Sequence, residues 1–110
     1  MEEKRDEQAF EHAAHDELSR LEKAFGDFGE LEVDSTGDVL TVEFEDDSTF
    51  VINSHRAARQ IWVSAEMSAS HFNFDEKLGR WFDSKSSEEL WLKLEGATSR
   101  KLGREAKLRW

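Results

Sequence analysis

Glu11 with His15, and His12 with Asp16, stand four residues apart in this chain. On a helix that spacing sets a carboxylate and an imidazole on consecutive turns, where the two can clip a metal ion. Helices display such pairs more often as plain surface ion pairs. A second kind of chemistry lies in Gln60-Ile61-Trp62-Val63-Ser64. Successive side chains of a strand face opposite ways, so if Ile61, Val63 and Ala65 enter a core, Gln60, Trp62 and Ser64 look outward. An indole on a polar outer face is a docking element; a sheet covered on both faces would bury it instead. Arg56 and Arg59, just before this strand, are loop charges able to meet acidic groups of a partner. No spacing assembles a Ser-His-Asp arrangement, a phosphate-cradling glycine loop or a buried pair of carboxylates. The lack of cysteine removes disulfides, thiolate metal sites and a cysteine nucleophile. The chain reads as a binding protein, not an enzyme.

Charge is segregated along it. Residues 1 to 50 hold 17 Asp and Glu against 4 Lys and Arg, whereas residues 51 to 110 hold 8 against 11, within an overall net charge of −10. An anion-rich region of this kind repels nucleic acid and anionic membranes and attracts cations or basic protein patches. There is no run of about 18 apolar residues, the length a membrane helix needs. The N-terminus (Met1-Glu2-Glu3-Lys4-Arg5-Asp6) has the character of neither a signal peptide nor an acid-poor transit sequence. A single cytoplasmic domain spanning residues 1–110 is expected.

The elements that must position these groups follow from periodicity. Phe10, Ala14, Leu18, Leu21, Phe25 and Phe28 recur at steps of three and four, which predicts an amphipathic helix from about Glu3 to Phe25, ended by Gly26 and Gly29. Its apolar stripe is flanked by Glu11, His15 and Glu22 on one side and His12, Asp16 and Asp27 on the other. From Leu31 the period becomes two. Strands are expected around Leu31–Val33, Leu40–Phe44, Phe50–Asn53, Gln60–Ala65, Ser70–Phe74 (with Phe72 and Phe74 inward) and Arg80–Asp83. Short polar turns at Ser35–Asp38 and Asp46–Ser48 join the first of these as an antiparallel meander. Ser86-Ser87-Glu88-Glu89 reads as a capping box that opens a second helix with Leu90, Trp91, Leu94 and Ala97 on its apolar face. The expected fold class is α+β: a two-layer α/β sandwich, both helices on one face of a six-stranded antiparallel sheet, with Trp81 and Trp91 in the core. The tail with Leu108 and Trp110 either packs back on the helices or stays disordered.

This order of elements, with its acidic front half, resembles the bacterial frataxin (CyaY) family. The resemblance is carried by Gly37-Asp38-Val39-Leu40-Thr41-Val42, Phe50-Val51-Ile52-Asn53, Gln60-Ile61-Trp62-Val63-Ser64, His71-Phe72-Asn73-Phe74 and Arg80-Trp81, followed by the helix with Leu90 and Trp91. It implies iron, Fe2+ or Fe3+, held weakly and exchangeably on a ridge comprising Glu22, Asp27, Glu30, Glu32 and Asp34. It also implies a partner-facing sheet surface comprising Asn53, Gln60, Trp62 and His71. The implied role is in iron–sulfur cluster assembly, on a complex of cysteine desulfurase and scaffold protein, as iron donor, regulator or both. A monomer is expected, with iron-dependent oligomers as the alternative. Carboxylate and imidazole are ligands that iron accepts, and the pairs at Glu11–His15 and His12–Asp16 would be secondary contacts. Two features depart from the family pattern. Lys23, Gly26 and Gly29 stand where acids are frequent, and Asn73 stands where an aspartate is usual. Two further functional readings remain open at this point: a ferroxidase or iron-storage protein, and a metal-independent acidic adaptor that binds a basic partner.

Overall fold

A computed structural model describes residues 2–108, with side chains from Glu7 onward. Helix α1 (Glu2–Gly26) is followed by β1 (Glu32–Thr36), β2 (Val39–Glu43), β3 (Thr49–His55), β4 (Gln60–Ala65), β5 (Ser68–Asp75), β6 (Arg80–Asp83) and helix α2 (Leu90–Leu102). The six strands pair only with their chain neighbours, all antiparallel, in the order β1-β2-β3-β4-β5-β6. This is the expected α+β sandwich of two helices on one face of a six-stranded sheet. The period-two reading fixes its register, because a slip of one residue would turn every apolar side chain outward. Leu40 faces Ile52, Ile52 faces Val63 and Ile61 faces Phe72, and all five are buried.

Along α1 the predicted stripe meets the sheet: Phe10, Ala14, Leu21 and Phe25 are buried, and Leu18 and Phe28 pack partly against them. Glu17 is buried on the same helix, an acid the stripe does not announce. Its Oε1 accepts from Arg20 Nε at 3.3 Å and Nη2 at 3.2 Å. Trp81 and Trp91 are core residues as expected, but Phe74 is not. Its β5 position shares the inward parity of Phe72 and packs on Trp81, yet it is 36% exposed while Phe72 is fully buried.

The capping box does not form as read. Helix α2 begins only at Leu90, and the cap is Glu89, whose carboxylate accepts from the Trp91 and Leu92 N–H groups. The preceding turn explains the shift. Asp83 Oδ1 accepts from the Lys85 and Ser86 N–H groups, Ser87 N donates to the Asp83 carbonyl, and Ser87 is left-handed at φ 63°. Residues 84 to 88 are thereby spent on closing this turn. After α2 the tail packs back: Ser99 Oγ bonds both ends of Ala106, and Leu108 N donates to Glu95 at 2.9 Å. Trp110 lies outside the described residues.

Asp83 is nearly fully buried and is held by Lys93 Nζ at 2.9 Å. Burial alone pushes its carboxyl up, but the Lys85 N–H, the Lys93 ammonium and the Ser86 N–H together outweigh it and bring the pKa down to about 2. A carboxyl depressed on folding contributes stability above its unfolded pKa, near 4, and loses it as pH falls toward 2. At 1.36 kcal/mol per pKa unit the contribution is about 2 kcal/mol. Denaturant melts of the parent and of Asp83→Asn should therefore differ at pH 6 and converge by that amount between pH 4 and pH 2. A constant difference across the range would assign the stabilisation to neutral hydrogen bonds.

Candidate functional site

The register defines the outer face of the sheet, the one turned away from the helices. Because paired residues share a face, one row across it runs Thr36, Val39, Asn53, Trp62, His71, and the next runs Asp34, Thr41, Val51, Ser64, Ala69. Glu32 and Glu43 begin a third row. The assignment of Asn53, Gln60, Trp62 and His71 to a common outer surface therefore agrees with the pairing. Trp62 is only half-buried, although its strand neighbours Ile61 and Val63 lie in the core.

What lends Trp62 its partial burial is a stack that the sequence did not reveal. Its indole lies between the rings of His55, at 3.8 Å and 9° from parallel, and His71, at 4.3 Å and 15°. Trp62 Nε1 donates to Gln60 Oε1 at 3.0 Å, and Gln60 Nε2 donates to Asn73 Oδ1 at 3.1 Å. Asn73, the departure from an aspartate, thus serves as acceptor for the amide that orients the indole. Asn53 Nδ2 donates to the Ser54 carbonyl at 3.4 Å. His55 was missed because it precedes a predicted loop. The available signal was its place two residues after Asn53, on the same outward parity.

Glu22, Asp27, Glu30, Glu32 and Asp34 are all exposed, but they are not equivalent. Glu30 is paired with Arg104, so a cation from beyond α2 already neutralises it. Asp34 accepts from Thr36 Oγ1 at 3.2 Å. Glu32 sits directly opposite Glu43 on β2, and neither makes an ion pair with the described residues. Among the described residues no three His, Asp or Glu side chains come together as a ready metal cluster. The ridge is a row of separate carboxylates, each offering one or two oxygens. Like charges placed directly opposite on a sheet repel. Glu32→Lys should accordingly raise the unfolding free energy of the metal-free chain by about 0.5–1 kcal/mol, the scale of cross-strand ion pairs, and should shrink the gain in melting temperature on adding divalent cations. A lower melting temperature would show that Glu32 is not under repulsion.

The histidine pairs of α1 divide. His12 Nε2 meets Asp16 at 3.3 Å as its spacing predicts, and His15 Nδ1 lies 3.8 Å from the same carboxylate. Glu11 turns to Arg56 at 2.8 Å, so the Glu11–His15 clip is not made. Glu11, His12, His15 and Arg56 line an open cleft of about 400 Å³ together with Asp38 and Ser54. Lys101 also crosses to the acidic half, as Arg56 and Arg104 do, whereas Arg100 pairs within its own half. Lys101 Nζ is 2.5 Å from Asp46 and, with the Ser48 hydroxyl and N–H, holds that carboxyl well below the usual carboxylate range. Arg100 holds Glu66 below it in the same way at 2.7 Å. Part of the charge segregation seen along the sequence is thereby folded back on itself, while Glu22, Asp27, Glu32 and Asp34 stand outside these pairs.

Helix, meander, helix, with an exposed acidic edge and an aromatic outer sheet face, define a small sandwich built to present surfaces. A frataxin-like domain model matches residues 3–104, and the chain belongs to the frataxin (CyaY) family. Among its relatives is an iron-sulfur cluster assembly protein CyaY of Ralstonia pickettii, 39% identical over 93 residues that make up 80% of this chain and 81% of that protein. The CyaY protein of Pseudomonas aeruginosa is 38% identical over 80 residues, 72% of this chain and 74% of the relative. The fold is similar to that of frataxin from Psychromonas ingrahamii, with a TM-score of 0.84 over 94% of this chain and 98% of that one at 22% identity. No helix among the described residues is long and apolar enough to cross a membrane.

Proposed function

We propose that this chain binds iron weakly on its acidic edge and acts in iron–sulfur cluster assembly, as iron donor or regulator of a cysteine desulfurase–scaffold complex, in the bacterial cytoplasm. The observation that carries the reading is continuity of surface. Glu32 and Asp34 project from β1 onto the same sheet face as Trp62 on β4, three strand spacings away, or about 15 Å. A partner docked on Trp62 would lie within reach of cations held at the edge. Relatives named as iron-sulfur cluster assembly proteins support the same role. Separate exposed carboxylates suit a cargo that must be released, because a rigid three-ligand cluster would hold its ion more tightly than a donor can allow.

A second reading, the metal-independent adaptor, is favoured by the separation of the acidic side chains, which form no three-ligand cluster among the described residues. One experiment separates them. Anaerobic Fe2+ titration of the parent and of Glu32→Gln/Asp34→Asn is run beside measurement of association with the desulfurase–scaffold complex, with and without chelator. Donor or regulator with iron predicts weak binding diminished in the double variant. Association that is intact while the parent takes up no Fe2+ selects the adaptor, and an absence of association overturns both.

A further inference from the structure

Every polar and planar face of the Trp62 indole is occupied from within the chain. Its rings are covered by His55 and His71, and its N–H is spent on Gln60, which is itself held by Asn73. His55 is tethered in turn: its Nδ1 accepts from the Ala58 N–H at 3.2 Å. That bond places the imidazole proton on Nε2, which donates to none of the described residues. The constraint thus passes from the β3–β4 turn, through His55, to the indole. An aromatic free to rotate on a surface loses that freedom on docking, whereas one held in its bound orientation has already lost it.

We propose that His55 is a positioning residue of the docking surface, closing a three-ring ladder that holds Trp62 in one orientation and presents ring edges, not ring faces, to a protein partner. The inference rests on the reading of the outer face as the surface that meets the assembly machinery. It also specifies what that partner brings. Residues 48 to 65 carry no acid, and Arg56 among them is already paired with Glu11, which leaves the imidazole edges of His55 and His71 as the polar groups beside the indole. The complementary surface is one that meets the imidazole edges with carbonyl or carboxylate acceptors and packs an apolar side chain on the edge of the indole.

The test uses the full chain with the desulfurase–scaffold complex. In proton NMR spectra, the ring protons of His55 and His71 should be displaced upfield by the indole, and the displacement should vanish in Trp62→Ala. His55→Ala should weaken association about fivefold, the scale of ordering one large side chain. His55→Phe, which keeps a ring over the indole, should restore it to within about twofold. Parent-like association of His55→Ala alongside a weakened Trp62→Ala overturns the positioning role and leaves the docking face standing. So does His55→Phe binding as poorly as His55→Ala, or an absence of upfield displacement in the parent. Parent-like association of Trp62→Ala overturns the docking face itself, and the role of His55 with it.

Discussion

Replacing Trp81 by alanine is expected to remove about 3–5 kcal/mol of folding stability, the range for deleting a buried aromatic and leaving a cavity. Trp81 on β6 is fully buried. Phe10 of α1 meets it edge-on at 5.9 Å and Phe74 of β5 lies tilted at 5.0 Å, so one side chain joins the far edge of the sheet to the helix layer. Truncation would leave Phe10 and Phe74 with no aromatic partner and a void the backbone has little means of closing. A domain of this size has in total only about 5–15 kcal/mol to lose. In a denaturant melt the midpoint should fall sharply with little change of slope, and the melting temperature should drop by roughly 10–20 °C. Trp81→Phe, which retains a ring, should cost less than half as much. A loss below about 1 kcal/mol, the size of a surface substitution, would mean that β6 is not part of the cooperative core.

Trp81 was placed correctly from alternation alone, and so was Trp62, because the parity of a strand is set by its nearest neighbours in sequence. Leu40, Ile52 and Ile61 leave no other register that keeps apolar side chains inside. The reading weakened wherever the deciding contact came from far along the chain or from a local competition. Phe74 has inward parity and packs on Trp81, but parity alone does not decide how fully it is covered, and it stays 36% exposed. Ser86 has the spacing of a cap, yet Asp83, three residues earlier, takes its N–H and closes a different turn. Glu30 looked like any other acid of the ridge until Arg104, 74 residues away, folded against it. The candidate surfaces follow the same division. Membership of Glu32, Asp34, Asn53 and Trp62 in one face was legible as parity, whereas the His55–Trp62–His71 stack depends on the turn geometry between two strands. Charge segregation, the most conspicuous feature of the sequence, is reduced in part by the pairs of Glu11 with Arg56, Asp46 with Lys101 and Glu30 with Arg104, and side-chain pairing across tertiary contacts leaves no period to read.

Trp62→Ala should behave in the opposite way to Trp81→Ala. Its indole is half-buried and rests on rings that are themselves partly exposed. Removal opens no closed cavity but forfeits two stacked contacts of about 0.5–1.5 kcal/mol each. Stability should therefore fall by about 1–3 kcal/mol, measurable but short of unfolding the domain. Association with the desulfurase–scaffold complex should suffer more, by about 2 kcal/mol or beyond, as central aromatic anchors do on truncation. That corresponds to roughly thirtyfold in affinity. The two tryptophans thus act as controls for one another: one should cost mainly folding stability, the other should separate function from stability. The decisive comparison is a denaturant melt paired with an association measurement on the same preparation of each variant. A loss of stability in Trp62→Ala equal to that of Trp81→Ala would mean that the outer face is covered and integral to the core. Unchanged association in a folded Trp62→Ala would remove the outer face from the interaction and leave the acidic edge of β1 as the surface through which this protein acts.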